Sequence, residues 1–238
     1  MEKVSIIMAS RNRARLLEAT LASIAAKRYA GAEVVVVDDG STDDTFEVLK
    51  RNQWVKGYQL ERRGSYSLNP GTAHNIGHEV AKGSIMVEQN AEAVHLTNLA
   101  DRLAVQCRPG VAVFATVLSG TAEDLRSCIA EIERGTFPYE KTLETRDVWL
   151  DGANETGHGP GKLEIGDREI DVYCGASRPF AAFFCGAIHR RDWERIGGYD
   201  ESLKKHADNQ LAAKMFKAGM TFVFDGRAIA FHQEHGRT

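Results

Sequence analysis

The sequence predicts an α/β protein: one domain with a mostly parallel central sheet and helices on both faces. Two apolar runs, at 4–9 and 33–37, are each followed by a polar turn and a stretch of helical periodicity, the βαβα order of right-handed parallel crossovers. The second run holds four consecutive valines, Val34 to Val37, apolar on both sides as a strand covered by helices on each face requires. A chain of 238 residues can bury a full core as one domain, and 43% hydrophobic with 26% charged residues are ordinary globular values.

Residues 4–9 read as the first strand, 10–13 as a polar loop, and 14–26 as a helix with Leu17, Leu21 and Ile24 on one face. A turn at 29–32 leads to the strand at 33–37, and 42–52 follows as a helix with Phe46 and Leu49 inward. Residues 58–61 form a short third strand, 62–70 a loop, and 71–81 a helix that stops at Lys82-Gly83. Residues 84–87 are a buried strand, 88–92 a polar segment, 95–105 a helix and 111–117 a strand. Between 119 and 173 the periodicity fades, and the glycine-rich span 149–166 reads as a long loop or irregular insertion. Order returns at 180–189. A short helix at 191–196, a turn at Gly197-Gly198-Tyr199-Asp200, a helix at 208–218 and strands at 221–224 and 228–231 complete the chain.

A net charge of −3 gives no global attraction to nucleic acid or anionic lipid. The four cysteines, Cys107, Cys128, Cys174 and Cys185, lack paired spacing, which argues against a zinc knot or redox motif and for free, mostly buried thiols of a reducing compartment. The apolar run at 4–8 is too short for a signal peptide, and no run approaches the ~20 residues that span a bilayer. The expectation is a cytoplasmic protein, soluble or peripheral to the inner face of a membrane.

The segment EVVVVDDGSTDDT (33–45) concentrates the chemistry. Asp38 and Asp39 emerge at the carboxyl end of a parallel strand, where open α/β sheets bind ligands. Gly40 permits the tight turn, and Ser41 or Thr42 can cap the next helix, with Asp43 and Asp44 in its first turn. Alone, this is also what an ordinary strand-to-helix turn looks like. Three further segments fit the same site.

With VSIIMASRNRARLLEATLASI (4–24) ahead of it, the Asp-Asp-Gly-Ser segment is joined by GTAHNIGHEVAKG running into SIMVEQNAE (71–92), FCGAIHRRDWERIGGYDESL (184–203), and ADNQLAAKMFKAGM with AFHQEH (207–220, 230–235). In order and spacing these resemble the family 2 glycosyltransferases, inverting enzymes of the GT-A fold that use nucleotide-sugar donors. The resemblance spans nearly the whole chain outside about 119–173. It implies a nucleotide-binding half at 1–118 and an acceptor-binding, base-bearing half at 119–238. It also implies a nucleoside diphosphate sugar as donor, a UDP-sugar favoured, with a glycan or glycolipid hydroxyl as acceptor.

By that resemblance Asp39 holds the nucleotide base, and a carboxylate suits the N–H of uracil or the N–H groups of guanine. Ala9, Ser10 and Arg13 line the same pocket, with Asp38 beside them on ribose or solvent; Arg13 reads equally as a surface cation. His74 and Asn75 stand where relatives often carry Arg-Asn, and a histidine there can still meet a phosphate. Relatives usually have Asp-x-Asp after this strand to bind a divalent cation. Here Asn90-Ala91-Glu92 takes its place, so Glu92 is the expected ligand for Mn²⁺ or Mg²⁺ and Asn90 a neutral partner for metal or ribose. His232 matches a terminal histidine that reaches the metal or diphosphate in some relatives, with Glu234 and His235 as neighbouring alternatives in a tail that could also be frayed. His95, just after the Asn90-Ala91-Glu92 segment, reads as a group behind the metal ligands or as a helix-start residue; a lone histidine is usually structural, and it is not counted as a ligand.

For the catalytic base the family uses an acidic pair before a helix; of the matching Asp208-Asn209-Gln210 only Asp208 is a carboxylate, and the resemblance gives it that role. It also stands where a helix needs an N-cap, and the two roles are compatible. Cys185-Gly186-Ala187 is expected to approach the donor sugar. Phe183, Phe184 and Trp193 read as core. Two other readings compete: a non-catalytic nucleotide- or glycan-binding module with a degraded metal motif, and a nucleotidyltransferase, which the glycine-free loop after the first strand disfavours.

Overall fold

The computed structural model describes residues 2–27, 29–61, 70–142, 161–173, 176–177, 180–181, 185–203 and 207–235. Cys174, Phe183 and Phe184 lie outside them. The first half runs β1 (Val4–Ser10), α1 (Ala14–Lys27), β2 (Glu33–Asp38), α2 (Thr45–Arg51), β3 (Val55–Gln59), α3 (Pro70–Val80), β4 (Ile85–Asn90), β5 (Ala93–His95) and α4 (Leu99–Gln106). Then come β6 (Val111–Gly120), α5 (Ala122–Arg134), the hairpin β7 (Gly161–Ile165) and β8 (Arg168–Tyr173), and the short β9 (Ala176–Ser177) and β10 (Phe180–Ala181). The chain closes with β11 (Cys185–His189), α6 (Arg190–Ile196), α7 (Ala207–Lys217) and β12 (Thr221–Gln233).

Among the described residues one ten-stranded sheet runs β3-β2-β1-β4-β11-β6-β12-β5, with β8 on β6 and β7 on β8. β1 to β4 are mutually parallel, β12 is parallel to β6, and β11 lies antiparallel between β4 and β6. The valine run behaves as its composition requires. Val34 and Val36, with Ile6 and Met8, pack under α1, α2 and α4; Val35 and Ile7 face the opposite layer with Trp193, Leu211 and Met215 of α6 and α7. Gly77 is fixed by contact: a Cβ there would come within 2.6 Å of Ile7 Cγ2.

Several boundaries differ from expectation, each for a local reason. α2 starts at Thr45, not at 42, because Asp43 accepts from Thr45 N (3.0 Å) while Ser41 and Thr42 are bonded to Asp38 and Asn12. β4 continues through Glu88 and Gln89, because tertiary partners satisfy both polar side chains. His95 ends a strand paired to β12 rather than opening a helix. Its buried ring is held by Tyr29 (2.7 Å) and Gln89, so it is structural. The two expected C-terminal strands are one, β12, whose register shifts between Asp225 and Ile229. Within 119–173, where periodicity fades, stands α5, opened by a reciprocal Thr121/Asp124 capping box and closed by Gly135 at φ +74°; of the expected irregular span 149–166, residues 149–160 lie outside the described residues. The 119–173 stretch also holds the β7–β8 hairpin.

Candidate functional site

β1, β2 and β4 all end on one edge of the sheet, and the loops there interlock. Gly40, at φ +64°, turns the chain after Asp39, whose N–H donates to Ser10 O (2.8 Å). Asp38 is fully buried and its carboxylate accepts from Ser41 N (3.0 Å), Ser41 Oγ and Gln59 Nε2 (3.0 Å), which gives it a turn-building task. Asn12, at φ 50°, accepts from Thr42 N and donates its own N–H to Ser41 Oγ, each at 2.8 Å. Asp43 bridges two helix starts, accepting from Ala14 N and Thr45 N. Burial alone would raise its carboxyl, but these hydrogen bonds and that of Thr45 Oγ1 bring it below the usual range. Ser10 is buried and its Oγ has no hydrogen-bond partner among the described residues, so it presents an unsatisfied donor and acceptor beside Asp39.

The second cluster forms where β12 comes alongside β5. Their antiparallel pairing sets His232 opposite Ala93, next in chain to Glu92. The tail beyond is tied down: Gln233 N donates to Glu92 O (3.2 Å) and Glu234 N to Gly120 O (3.0 Å). Glu92 Oε1 lies 2.7 Å from His235 Nε2 and 3.4 Å from His232 Nε2. The three ligand atoms all fall within 4.8 Å of one another. Arg13 joins them, one guanidinium nitrogen standing 3.0 Å from His235 Nδ1 while its backbone N–H donates to Thr45 Oγ1. Burial pushes the Glu92 carboxyl up, but the hydrogen bond and charge of His232 and the charges of His235 and Arg13 outweigh it. The net shift is downward, and Glu92 is held as the anion a cation ligand must be.

Behind this edge sits a buried polar set that the sequence reading did not anticipate. Glu88, 1% exposed, accepts from Tyr199 OH and lies 2.8 Å from His78 Nε2; His74 Nδ1 stands 3.6 Å away. His78 stacks on Trp193 with centroids 3.5 Å apart. Burial raises Glu88 and lowers His78 and His74, driving each toward its neutral form. The signal available in the sequence was a glutamate and two histidines on segments otherwise reading as core. Asn75 clamps the next turn, accepting from Tyr199 N (2.9 Å) and donating to Tyr199 O (3.0 Å) and Glu201 (2.8 Å).

That turn leads to α7. Asp208 lies exposed in its first turn, close enough for its charge to help raise the Tyr199 phenol after burial and Glu88 have done so. Gln210 donates to Asp200 (3.3 Å), and Lys214 Nζ donates to Gly198 O (2.6 Å).

A model of the family described as Glycosyl transferase family 2 matches residues 5–152. The chain belongs to glycosyl transferase family 2. Its curated relatives include an uncharacterized glycosyltransferase of Nostoc sp., 30% identical over 92 residues that make up 39% of this chain and 29% of that one. A second is the UDP-Glc:alpha-D-GlcNAc-diphosphoundecaprenol beta-1,3-glucosyltransferase WfaP of Escherichia coli, 32% identical over 84 residues, 35% of this chain and 32% of that one. The alignments thus span about a third of either relative. Among solved structures, the mannosyltransferase PcManGT from Pyrobaculum calidifontis in complex with GDP-Man and Mn2+ superposes over 96% of this chain and 56% of its own, with TM-score 0.59 and 21% identity. S. aureus TarS 1-349 in complex with UDP-GlcNAc superposes over 99% of this chain and 60% of its own, with TM-score 0.63 and 14% identity. At such identities these two establish the shared GT-A fold.

Within this family 2 domain the structure gathers Ala9, Ser10, Asp38, Asp39 and Asn90 at the ends of adjacent strands, Ala9 pairing with Asn90. It brings Glu92, His232, His235 and Arg13 into one cluster and leaves Asp208 on a separate helix. Asp38 and Asn75 have their polar atoms engaged in turn-building contacts, and His74 is buried against Tyr199, ring centroids 5.4 Å apart. Gly186 faces the protein interior: a Cβ there would meet Phe114 at 2.8 Å, so the glycine permits the close packing of β11 on β6.

Proposed function

We propose that the protein transfers a sugar from a nucleoside diphosphate sugar, preferably a UDP-sugar, to a hydroxyl of a glycan or glycolipid, inverting the anomeric carbon. The observation that carries this reading is the convergence of Glu92, His232 and His235 beside the Asp39 loop. A carboxylate and two imidazoles suit a divalent cation such as Mn²⁺ or Mg²⁺, and three protein donors leave coordination positions for diphosphate oxygens. Such a cation would offset the charge that develops on the departing nucleoside diphosphate. The three-donor cluster supplies donors where the second carboxylate is missing, which answers the degraded metal motif; the single carboxylate at the base position is the other motive for the non-catalytic binding module, and transfer assays with Mn²⁺ separate the two readings.

The chain's own residues supply the remainder. Asp39 accepts from the nucleotide base, with Ala9, Ser10, Arg13 and Asn90 around base and ribose. Asp38, His74 and Asn75 act beneath this layer by fixing the loops. Asp208 removes the proton from the acceptor hydroxyl as that oxygen bonds to the anomeric carbon, while the bond from that carbon to the diphosphate breaks on the opposite face. Residues 1–118 thereby serve mainly the nucleotide and 119–238 the acceptor and the base, with His232 and His235 of the second half returning to the diphosphate side. A cytoplasmic site, free or peripheral to a membrane, suits a glycolipid acceptor. Among the described residues no helix is long and apolar enough to cross a membrane.

The test is Asp208→Asn with a panel of UDP- and GDP-sugars and Mn²⁺. Transfer falls by about 10²–10⁴-fold, while nucleotide binding, read by thermal shift, is unchanged. Undiminished turnover would refute the assignment.

A further inference from the structure

The contact between Arg13 and His235 has a consequence for how the site works. A guanidinium has only N–H donors, so the His235 Nδ1 that faces it at 3.0 Å must be the accepting nitrogen of the ring. The ring proton therefore sits on Nε2, where it is donated to Glu92 Oε1 at 2.7 Å. This order, guanidinium to imidazole to carboxylate, places one positive charge among residues that would otherwise receive a metal. To ligate a metal through Nε2, His235 must shed that proton and, as a neutral ring, carry one on Nδ1 instead. An Nδ1–H pointing at a guanidinium N–H is a donor facing a donor, and a divalent ion close by repels the same guanidinium. The two arrangements exclude each other.

We propose that Arg13 and the divalent cation are alternative occupants of the Glu92–His232–His235 cluster, so that cation binding expels the Arg13 guanidinium from His235. Arg13 belongs to the loop between β1 and α1, where Asn12 and the backbone N–H of Arg13 are bonded to Ser41, Thr42 and Thr45. The backbone is thus anchored beside the Asp39 turn, and the side chain alone makes the exchange. Once expelled it stays on the nucleotide side of the site as a donor-only cation, available to the diphosphate that arrives with the metal. This rests on the reading of the cluster as a cation site. It adds that the Arg13 guanidinium holds the cluster when no cation does, and that Arg13 opposes metal binding until a diphosphate is present.

The experiment is Mn²⁺ titration followed by loss of the free-ion EPR signal, without nucleotide, on the wild-type chain, Arg13→Ala and His235→Ala. The proposal expects Arg13→Ala to bind Mn²⁺ more tightly than wild type, by on the order of tenfold since a charge-assisted hydrogen bond no longer has to be broken, and His235→Ala to bind more weakly. Nitrogen-15 spectra of histidine-labelled protein should show His235 with its proton on Nε2 when metal-free and on Nδ1 when Zn²⁺ is bound. If wild type binds Mn²⁺ but Arg13→Ala binds it equally or less well, or if the His235 ring keeps its proton on Nε2 in the Zn²⁺ form, the competition is wrong and the cation site stands. If neither protein binds Mn²⁺, even with UDP or GDP added, the cation site itself is wrong and the competition goes with it.

Discussion

Single side chains here carry more than one bond each, and that is what couples the site to the fold. Glu33, remote from the candidate site, shows the principle in its simplest form. Burial would raise its carboxyl, but hydrogen bonds from Lys56, Ser5 and Lys82 N, with the Lys56 charge, bring it down from 4.5 to about 2. A carboxyl lowered on folding stabilises the protein above its unfolded pKa, and the contribution disappears as pH falls through the folded one. Glu33→Gln should therefore lower the melting temperature at neutral pH and shrink the wild-type loss of stability between pH 4.5 and about 2. An equal acid-induced loss in both proteins would show that Glu33 is not responsible. The residue types of the candidate site could be named from the sequence because carboxylates, imidazoles and glycines stand where the family resemblance needs them. Their distant partners could not. The Asp38–Ser41 bond is a local turn contact, but nothing local says that Gln59 joins it from 21 positions away, or that His235, 143 positions from Glu92, joins His232 on that carboxylate.

Elements were legible where one signal dominated. The valine strand follows from its unbroken β-branched run, buried on both faces, and α1 from helical periodicity, its buried residues matching the apolar spacing. β4 and β5 were harder, since Glu88, Gln89 and His95 read as polar breaks until tertiary partners satisfy them. α5 carried a readable start in Thr121-x-x-Asp124 and a readable end in Gly135, but its surroundings lack periodicity and hid both. The joint between α3 and β1 gives a sharp prediction. Alanine is preferred over glycine inside a helix by roughly 0.5–1 kcal/mol, yet at Gly77 the added methyl would meet Ile7 Cγ2 at 2.6 Å. Overpacking of this kind costs about 1–3 kcal/mol, so Gly77→Ala should lower the denaturation midpoint. An unchanged or raised midpoint would mean that α3 is free to shift away from the sheet.

At the scale of the whole molecule, one sheet does two jobs. Its parallel part ends in the loops that carry Ser10, Asp39, Asn90 and Glu92. The antiparallel insertion of β11 and the long β12 then return the C-terminal residues to that same edge. A domain cut near residue 118 would lose His232, His235 and Asp208 together, so under the proposed function the two halves build one site rather than two modules. The account's central claim is that this edge holds a nucleoside diphosphate and a cation between residues from both ends of the chain. Anomalous diffraction from crystals grown with Mn²⁺ and UDP or GDP tests it directly. We expect a manganese peak bounded by Glu92, His232 and His235, with the base against Asp39. A peak elsewhere, or a nucleotide bound away from Asp39, would contradict the account.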